Sequence, residues 1–291
     1  MSVLSHKKKG GRERRFSKRQ MLWDVLPAGG HYPFGLRADK AAVMLLVGSW
    51  AELGELYEVD YRKASEAGLK DIQARLLMEQ GELEGWRNRH RRAGELLELA
   101  DRTYRELNDS EGRFRCENGL AVVYINLGEY EKAEKLIDSS TAQARRLRHR
   151  DALCSFLNSH AVLCKVRKQP DRAIKYLEER MAISIERGAA GDVASSHLNL
   201  AVVYSEKAQY HRALEHNEAA IALSQKMGDV MQQHYALFNQ AQILMKLGRT
   251  AECLGFLKKA LAVSRHLGDG ETEELILREA ASIEEKQGPG P

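Results

Sequence analysis

A chain of 291 residues that is 43% hydrophobic and 30% charged has the composition to bury a sizeable core, which excludes the disordered classes. Its formal charge of +4 is unevenly spread: residues 1–20 hold eight Lys/Arg against the single acid Glu13, and the remainder carries 37 basic against 40 acidic residues, so a body that is basic throughout is excluded. The cysteines Cys116, Cys154, Cys164 and Cys253 form no C-x-x-C pair and have no histidines at zinc spacing, which argues against a metal site or disulfide framework and for a reducing, cytoplasmic setting.

In chain order, the stretch HKKKGGRERRFSKRQ at 6–20 admits three readings: a disordered solubilising arm, a weak contact for nucleic acid or an anionic membrane, or an artefact of where translation is taken to start. No aromatic platform accompanies it, so RNA recognition gains little support. SKRQMLWDVLP follows and predicts a short amphipathic helix ended by Pro27, with Met21, Leu22, Val25 and Leu26 docking on what comes next. We therefore expect residues 1–33 to be a basic arm with a short amphipathic segment, 34–287 a helical repeat domain, and 288–291 a disordered tail. The amino terminus lacks the apolar stretch of a signal peptide. No apolar run reaches the ~20 residues needed to cross a bilayer; AAVMLLV at 41–47 comes nearest.

From residue 34 to 288 Pro170 is the one proline, a helical composition. A small residue recurs every 40 positions at Ala41, Gly81, Ala121, Ala161, Ala201, Ala241 and Ala281. A second register comprises Leu53, Ala93, Ala133, Ala173, Ala213 and Cys253, and a third Ala142, Ala182, Ala222 and Ala262. Tyr124, Cys164, Tyr204 and Leu244 hold an apolar position three residues after the first register, and Gly128, Ala208 and Gly248 mark the break before the second. Such a period predicts a solenoid of helix pairs, each helix about four turns long, with small residues where two axes cross closely. Pro170 with Asp171 suits the first turn of a second helix, and MGD at 227–229 and LGD at 267–269 read as helix stops.

The pentapeptide LAVVY occurs at 120–124 and 200–204, inside L-A-x-x-Y-x-x-x-G-x-Y-x-x-A at 120–133 and L-A-x-x-Y-x-x-x-A-x-Y-x-x-A at 200–213. These residues resemble the tetratricopeptide repeat family. The standard unit is 34 residues; this one is 40, similar to the long units of Pins-type and kinesin-light-chain-type adaptors. The resemblance covers about 37–287, and implies an all-α fold: a right-handed α-α superhelix of about six helix pairs plus a C-terminal capping helix. Units three, five and six match well, unit four replaces the aromatic with Cys164 and the glycine with Lys168, and units one and two are degenerate.

No phosphate-binding loop, G-x-G-x-x-G, G-x-S-x-G or H-E-x-x-H occurs. His160, in the leucine position of the register, reads as a partly buried helix residue, and Glu284 and Glu285 as a solvated face. We expect no enzyme, cofactor or metal. In this family the concave surface is lined mainly by the first helix of each pair, and in related adaptors an asparagine at the register of Asn199 and Asn239 contacts the ligand chain. Asn118 and Asn158, also 40 apart, stand one position off. A row of side-chain amides can pair with the backbone of an extended peptide; the alternative is that these asparagines bond within the helix pair or face water. Arg75, Arg115, Lys165 and Lys246 fall on or beside that surface and suggest a peptide with acidic side chains or a terminal carboxylate. The expected function is a non-enzymatic adaptor holding a peptide or helix in the concave groove. The alternative is a regulatory sensor module of a bacterial signalling ATPase, cyclase or transcription activator, which would need a partner chain or make this chain one part of a longer protein.

Overall fold

A computed structural model describes residues 50–267 and 270–287. The expectations for 1–33, the amphipathic segment, Ala41, the stop at 267–269, Glu284, Glu285 and 288–291 fall wholly or partly outside the residues whose conformation or side chains it describes. The described residues from Gly54 onward belong to one compact unit; Trp50–Leu53, the first turn of α1, belongs to the preceding one.

The described residues form α1 (Trp50–Glu66), α2 (Lys70–Trp86), α3 (His90–Glu106), α4 (Ser110–Asn126), α5 (Tyr130–Arg146), α6 (Arg150–Val166), α7 (Pro170–Glu186), α8 (Ala190–Glu206), α9 (Tyr210–Met227), α10 (Val230–Lys246), α11 (Thr250–Leu267) and α12 (Gly270–Gln287). Each begins 20 residues after the last. The pairs α2–α3, α4–α5, α6–α7, α8–α9 and α10–α11 are the repeats, and α1 and α12 flank them.

The 20-residue beat has a local cause. Ten residues spaced by 20 take a left-handed backbone: Gly68, Gly128, Gly188, Gly228 and Gly248, and also Asn88, Asn108, Arg148, Lys168 and Ala208. At Gly128 the amide donates to Ile125 O at 3.1 Å and the next amide, Glu129, donates back to Tyr124 O at 2.8 Å. This pair of bonds closes a helix by satisfying its last carbonyls, and the same pair recurs at every turn from 68 to 248. One further residue then opens the next helix. Asp109 does both jobs: its amide donates to Tyr104 O at 2.9 Å while its side chain accepts from Gly112 N at 3.0 Å. Asp229 repeats this with Ser224 O and Gln232 N. Pro170 occupies the first turn of α7, where a missing N–H costs nothing.

The first two registers are packing positions. Gly81, Ala121, Ala161, Ala201 and Ala241 are buried, as are Ala93, Ala133, Ala173, Ala213 and Cys253. A Cβ on Gly81 would stand 2.9 Å from the Leu97 side chain and 3.3 Å from Ala93 O, so the axes there approach as closely as the small residues allow. Ala281, in the same register on α12, is exposed, with no further described helix across it.

The third register is corrected. Ala142, Ala182, Ala222 and Ala262 are exposed. The buried small position lies two residues on, at Ala144, Ser184, Ser224 and Ser264, each at 0% exposure, and two residues rotate a side chain by about 200° around a helix.

Consecutive first helices approach one another, α2 to α4, α4 to α6 and α8 to α10, whereas second helices meet chiefly their sequence neighbours. Within this unit the first helices therefore form the inner layer.

Candidate groove

On each first helix, residues spaced three or four apart share one face. Along α4 the exposed or half-buried positions are Arg115, Asn118, Gly119, Val122 and Asn126; along α6 they are Ser155, Asn158, Val162, Lys165 and Val166. The stripe continues through Ser195, Leu198, Asn199, Val202 and Glu206 on α8, and Tyr235, Phe238, Asn239, Gln242 and Lys246 on α10. These stripes lie side by side on the inner layer. Their centre is apolar: Val122 and Val162 are 41% and 36% exposed, large values for valines repeating every 40 residues. LAVVY thus serves two ends at once, since Leu120, Ala121 and Val123 are buried while Val122 faces outward.

The predicted asparagines occupy this face and are knitted across it. Asn118 Oδ1 accepts from Ser159 Oγ at 2.7 Å, joining α4 to α6. Asn199 Nδ2 donates to Asn158 Oδ1 at 2.9 Å, joining α8 to α6. Asn239 differs, because its Nδ2 donates to Asn217 Oδ1 on α9 at 2.8 Å. All four are partly buried. Each bond uses one end of a side-chain amide that has two.

Of the predicted cations, Arg115, Lys165 and Lys246 stand on these helices and Arg75 on the preceding first helix, α2. Arg75 pairs with Glu79 at 3.9 Å, Arg115 with Glu82 at 3.8 Å and Lys165 with Glu206 at 3.8 Å. Lys246 Nζ instead donates to a hydroxyl, Ser205 Oγ, at 3.2 Å. Burial pushes the carboxyls of Glu79 and Glu82 above the usual range, against the pull of Arg75 and Arg115 respectively. Four cations thus meet three carboxylates, a mild positive excess.

Sequence reasoning missed the polar keys beneath the groove. Glu117, 4% exposed, accepts from Arg105 at 2.8 Å, Arg113 at 3.2 Å and Ser140 at 2.7 Å. Arg180, 7% exposed, donates to Ser196 Oγ at 2.6 Å and pairs with Asp192 at 3.1 Å. His160, which the sequence reads as a partly buried helix residue, is buried, lies 3.3 Å from Thr141 Oγ1 and stacks on Tyr176. Burial lowers its pKa first, partly opposed by Asp138. His197 and His216 face each other with Nδ1 atoms 3.0 Å apart, and Tyr204 stacks on His216. Asn217 stands where other repeats have Leu97, Ile137, Leu177 and Leu257; Gln240 stands in a register that holds Leu120 and Leu200 in two units and Gln80 and His160 in two others. A polar residue breaking a leucine register was the available signal.

All four cysteines are free and buried. Among the described residues no group of three or more His, Cys, Asp or Glu could hold a metal ion, and no helix is long and apolar enough to cross a membrane.

A tetratricopeptide repeat profile matches residues 193–227, which span most of α8 and α9. No curated protein sequence matches this chain. Among solved structures, NprR in complex with its cognate peptide NprX is similar at 15% identity and a TM-score of 0.61, over 92% of this chain and 77% of that one. A signal transduction ATPase with numerous domains and a tetratricopeptide repeat sensor, from Pyrococcus horikoshii, is similar at 17% identity and TM-score 0.63, over 87% of this chain and 41% of that one. Nearly identical TPR-like repeats of a putative kinesin light chain from Podosopora anserina align at 21% identity and TM-score 0.53, over 67% and 96%. The matched unit, the 40-residue period and these likenesses agree: the chain carries a tetratricopeptide repeat at 193–227 and has the fold of an all-α tetratricopeptide-like solenoid.

Proposed function

We propose that this chain is a non-enzymatic, cytoplasmic binding module that holds an extended peptide along the face of α4, α6, α8 and α10. The observation that carries the reading is the alignment of three features on one face: a row of side-chain amides, a strip of exposed valines beside it, and a border of charged residues. Amides pair with a ligand backbone irrespective of its sequence, and the valines take alternate apolar side chains. The positive excess of Arg75, Arg115, Lys165 and Lys246 over Glu79, Glu82 and Glu206 favours a peptide that is mildly acidic or ends in a free carboxylate near the groove. The likeness to NprR, solved in complex with its cognate peptide, supports this at the level of fold.

The test is to pan a random hexapeptide display library on the full chain and titrate the selected peptide. Enrichment of peptides with alternating apolar residues supports the reading; failure to enrich any peptide contradicts it.

A second reading, a regulatory sensor working with a partner domain, is favoured by the likeness to the Pyrococcus protein, which has a tetratricopeptide repeat sensor. Peptide binding that changes the activity of a co-expressed signalling ATPase would select it. The basic residues 1–20 add a weak, salt-sensitive affinity for anionic surfaces in either case.

A further inference from the structure

Resting on the groove reading above, we infer that Asn217, buried in α9, is a positioning residue that turns Asn239 so that its side-chain carbonyl faces the groove, where it accepts a hydrogen bond from one backbone N–H of the bound peptide.

Ala236 O can only accept, so the Asn217 atom 2.8 Å from it is the donor Nδ2. The same Nδ2 reaches Gln240 Oε1 at 2.6 Å. Asn217 therefore has its oxygen turned toward Asn239, which must answer with its own Nδ2, at 2.8 Å. With that bond drawing Nδ2 toward α9, the one acceptor Asn239 has for a ligand, Oδ1, is left without a partner, beside the second N–H of Nδ2. A backbone carbonyl thus sets the orientation of one amide and, through it, of the next.

Other amides of the row lack this anchor. Asn199 and Asn158 bond to each other, and rotating both amides together keeps that bond. Asn118 bonds to a hydroxyl, which serves as donor or acceptor. At the register of Asn239 the neighbouring units hold Gly119, Ser159 and Asn199.

Packing alone does not ask for the polar pair. Asn217 is 0% and Gln240 2% exposed. The preceding interface fills the same two registers with Leu177 and Leu200, at 1% and 0%. Burying two amides where leucines fit gives up hydrophobic stabilisation and demands full hydrogen bonding. The bonds to Ala236 and Asn239 meet that demand and direct the result toward the groove.

The test substitutes Asn217→Leu together with Gln240→Leu, copying the Leu177 and Leu200 interface so that the fold is kept, with circular dichroism and melting temperature as controls. Two readouts follow. In the native chain the side-chain amide protons of Asn239, followed by nitrogen-edited NMR, exchange with solvent more slowly than those of Asn88 in its exposed turn; in the double variant the difference disappears. The hexapeptide selected from the library is then N-methylated one residue at a time. One methylation weakens binding to the native chain by about tenfold or more, and in the double variant that same penalty falls within about twofold while the penalties at other positions persist. Equal exchange of Asn239 and Asn88 in the native chain, or an unchanged N-methyl profile in the variant, overturns the inference. If no hexapeptide is selected, the groove reading fails, and amide exchange still decides whether Asn217 orients Asn239.

Discussion

At the scale of single residues, the molecule shows two kinds of strictness. The turn positions are strict about conformation: Arg148, Lys168 and Ala208 hold φ between 54° and 58°, where a Cβ is crowded. Replacing Lys168 or Ala208 by Gly should raise stability by about 1 kcal/mol each, and Gly248→Ala should lower it similarly. Thermal unfolding of the three variants checks this, and a Gly variant less stable than the native chain would contradict it. The crossing positions are strict about volume. Ala201 is 0% exposed, so Ala201→Leu should cost about 1–3 kcal/mol, whereas Ala222→Ser, on the exposed register, should stay within about 0.5 kcal/mol. Melting temperatures that moved together would refute the assignment of these two registers. Asn239 corrects a simpler expectation. A side chain that only lined the groove would support little packing, yet Asn239→Ala removes a partner from the fully buried Asn217 and should cost about 1–3 kcal/mol for that reason.

Between elements, four of the interfaces between neighbouring helices carry their own polar pairing on a shared apolar frame: Glu117 with Ser140, Thr141 with His160, Arg180 with Asp192, Asn217 with Gln240. The frame was legible in the sequence because steric demands repeat every 40 residues and leave small residues at fixed spacing. The pairings were not, because each occurs once and joins residues 12 to 23 apart on different helices. The third alanine register misled for a related reason: periodicity shows that a position recurs, and burial must say which side it faces. The pair His197 and His216 gives a pH prediction. Both pKa values are lowered, first by burial, then for His197 by its partner's charge; for His216, Glu215 opposes the shift and Arg212 adds to it. The unfolded chain therefore binds these protons more readily than the folded one. Stability is full above the ordinary imidazole value of about 6.5 and falls as pH drops through it, levelling off below the folded values. Changing His197→Leu with His216→Tyr, the residue types at the same positions in neighbouring units, should flatten the loss of melting temperature between pH 7.5 and 5.5. An identical loss in the variant would place the effect elsewhere.

For the whole repeat unit, a one-dimensional stack turns its first helices toward a shared face, so that residues 40 apart in sequence become neighbours along a single groove. This is why the row of amides could be read from spacing, while the valine strip, half of a motif taken as packing, could not. The most direct measurement is a calorimetric titration of the library-selected hexapeptide into the native chain and into the Asn158→Ala, Asn199→Ala variant. Those two side chains bond to each other, so removing both leaves no orphaned partner and should spare helicity and melting temperature. The account predicts affinity weaker by roughly tenfold to a hundredfold, about 1 kcal/mol for each lost amide. Unchanged affinity in a folded variant would contradict it and move the peptide off this face.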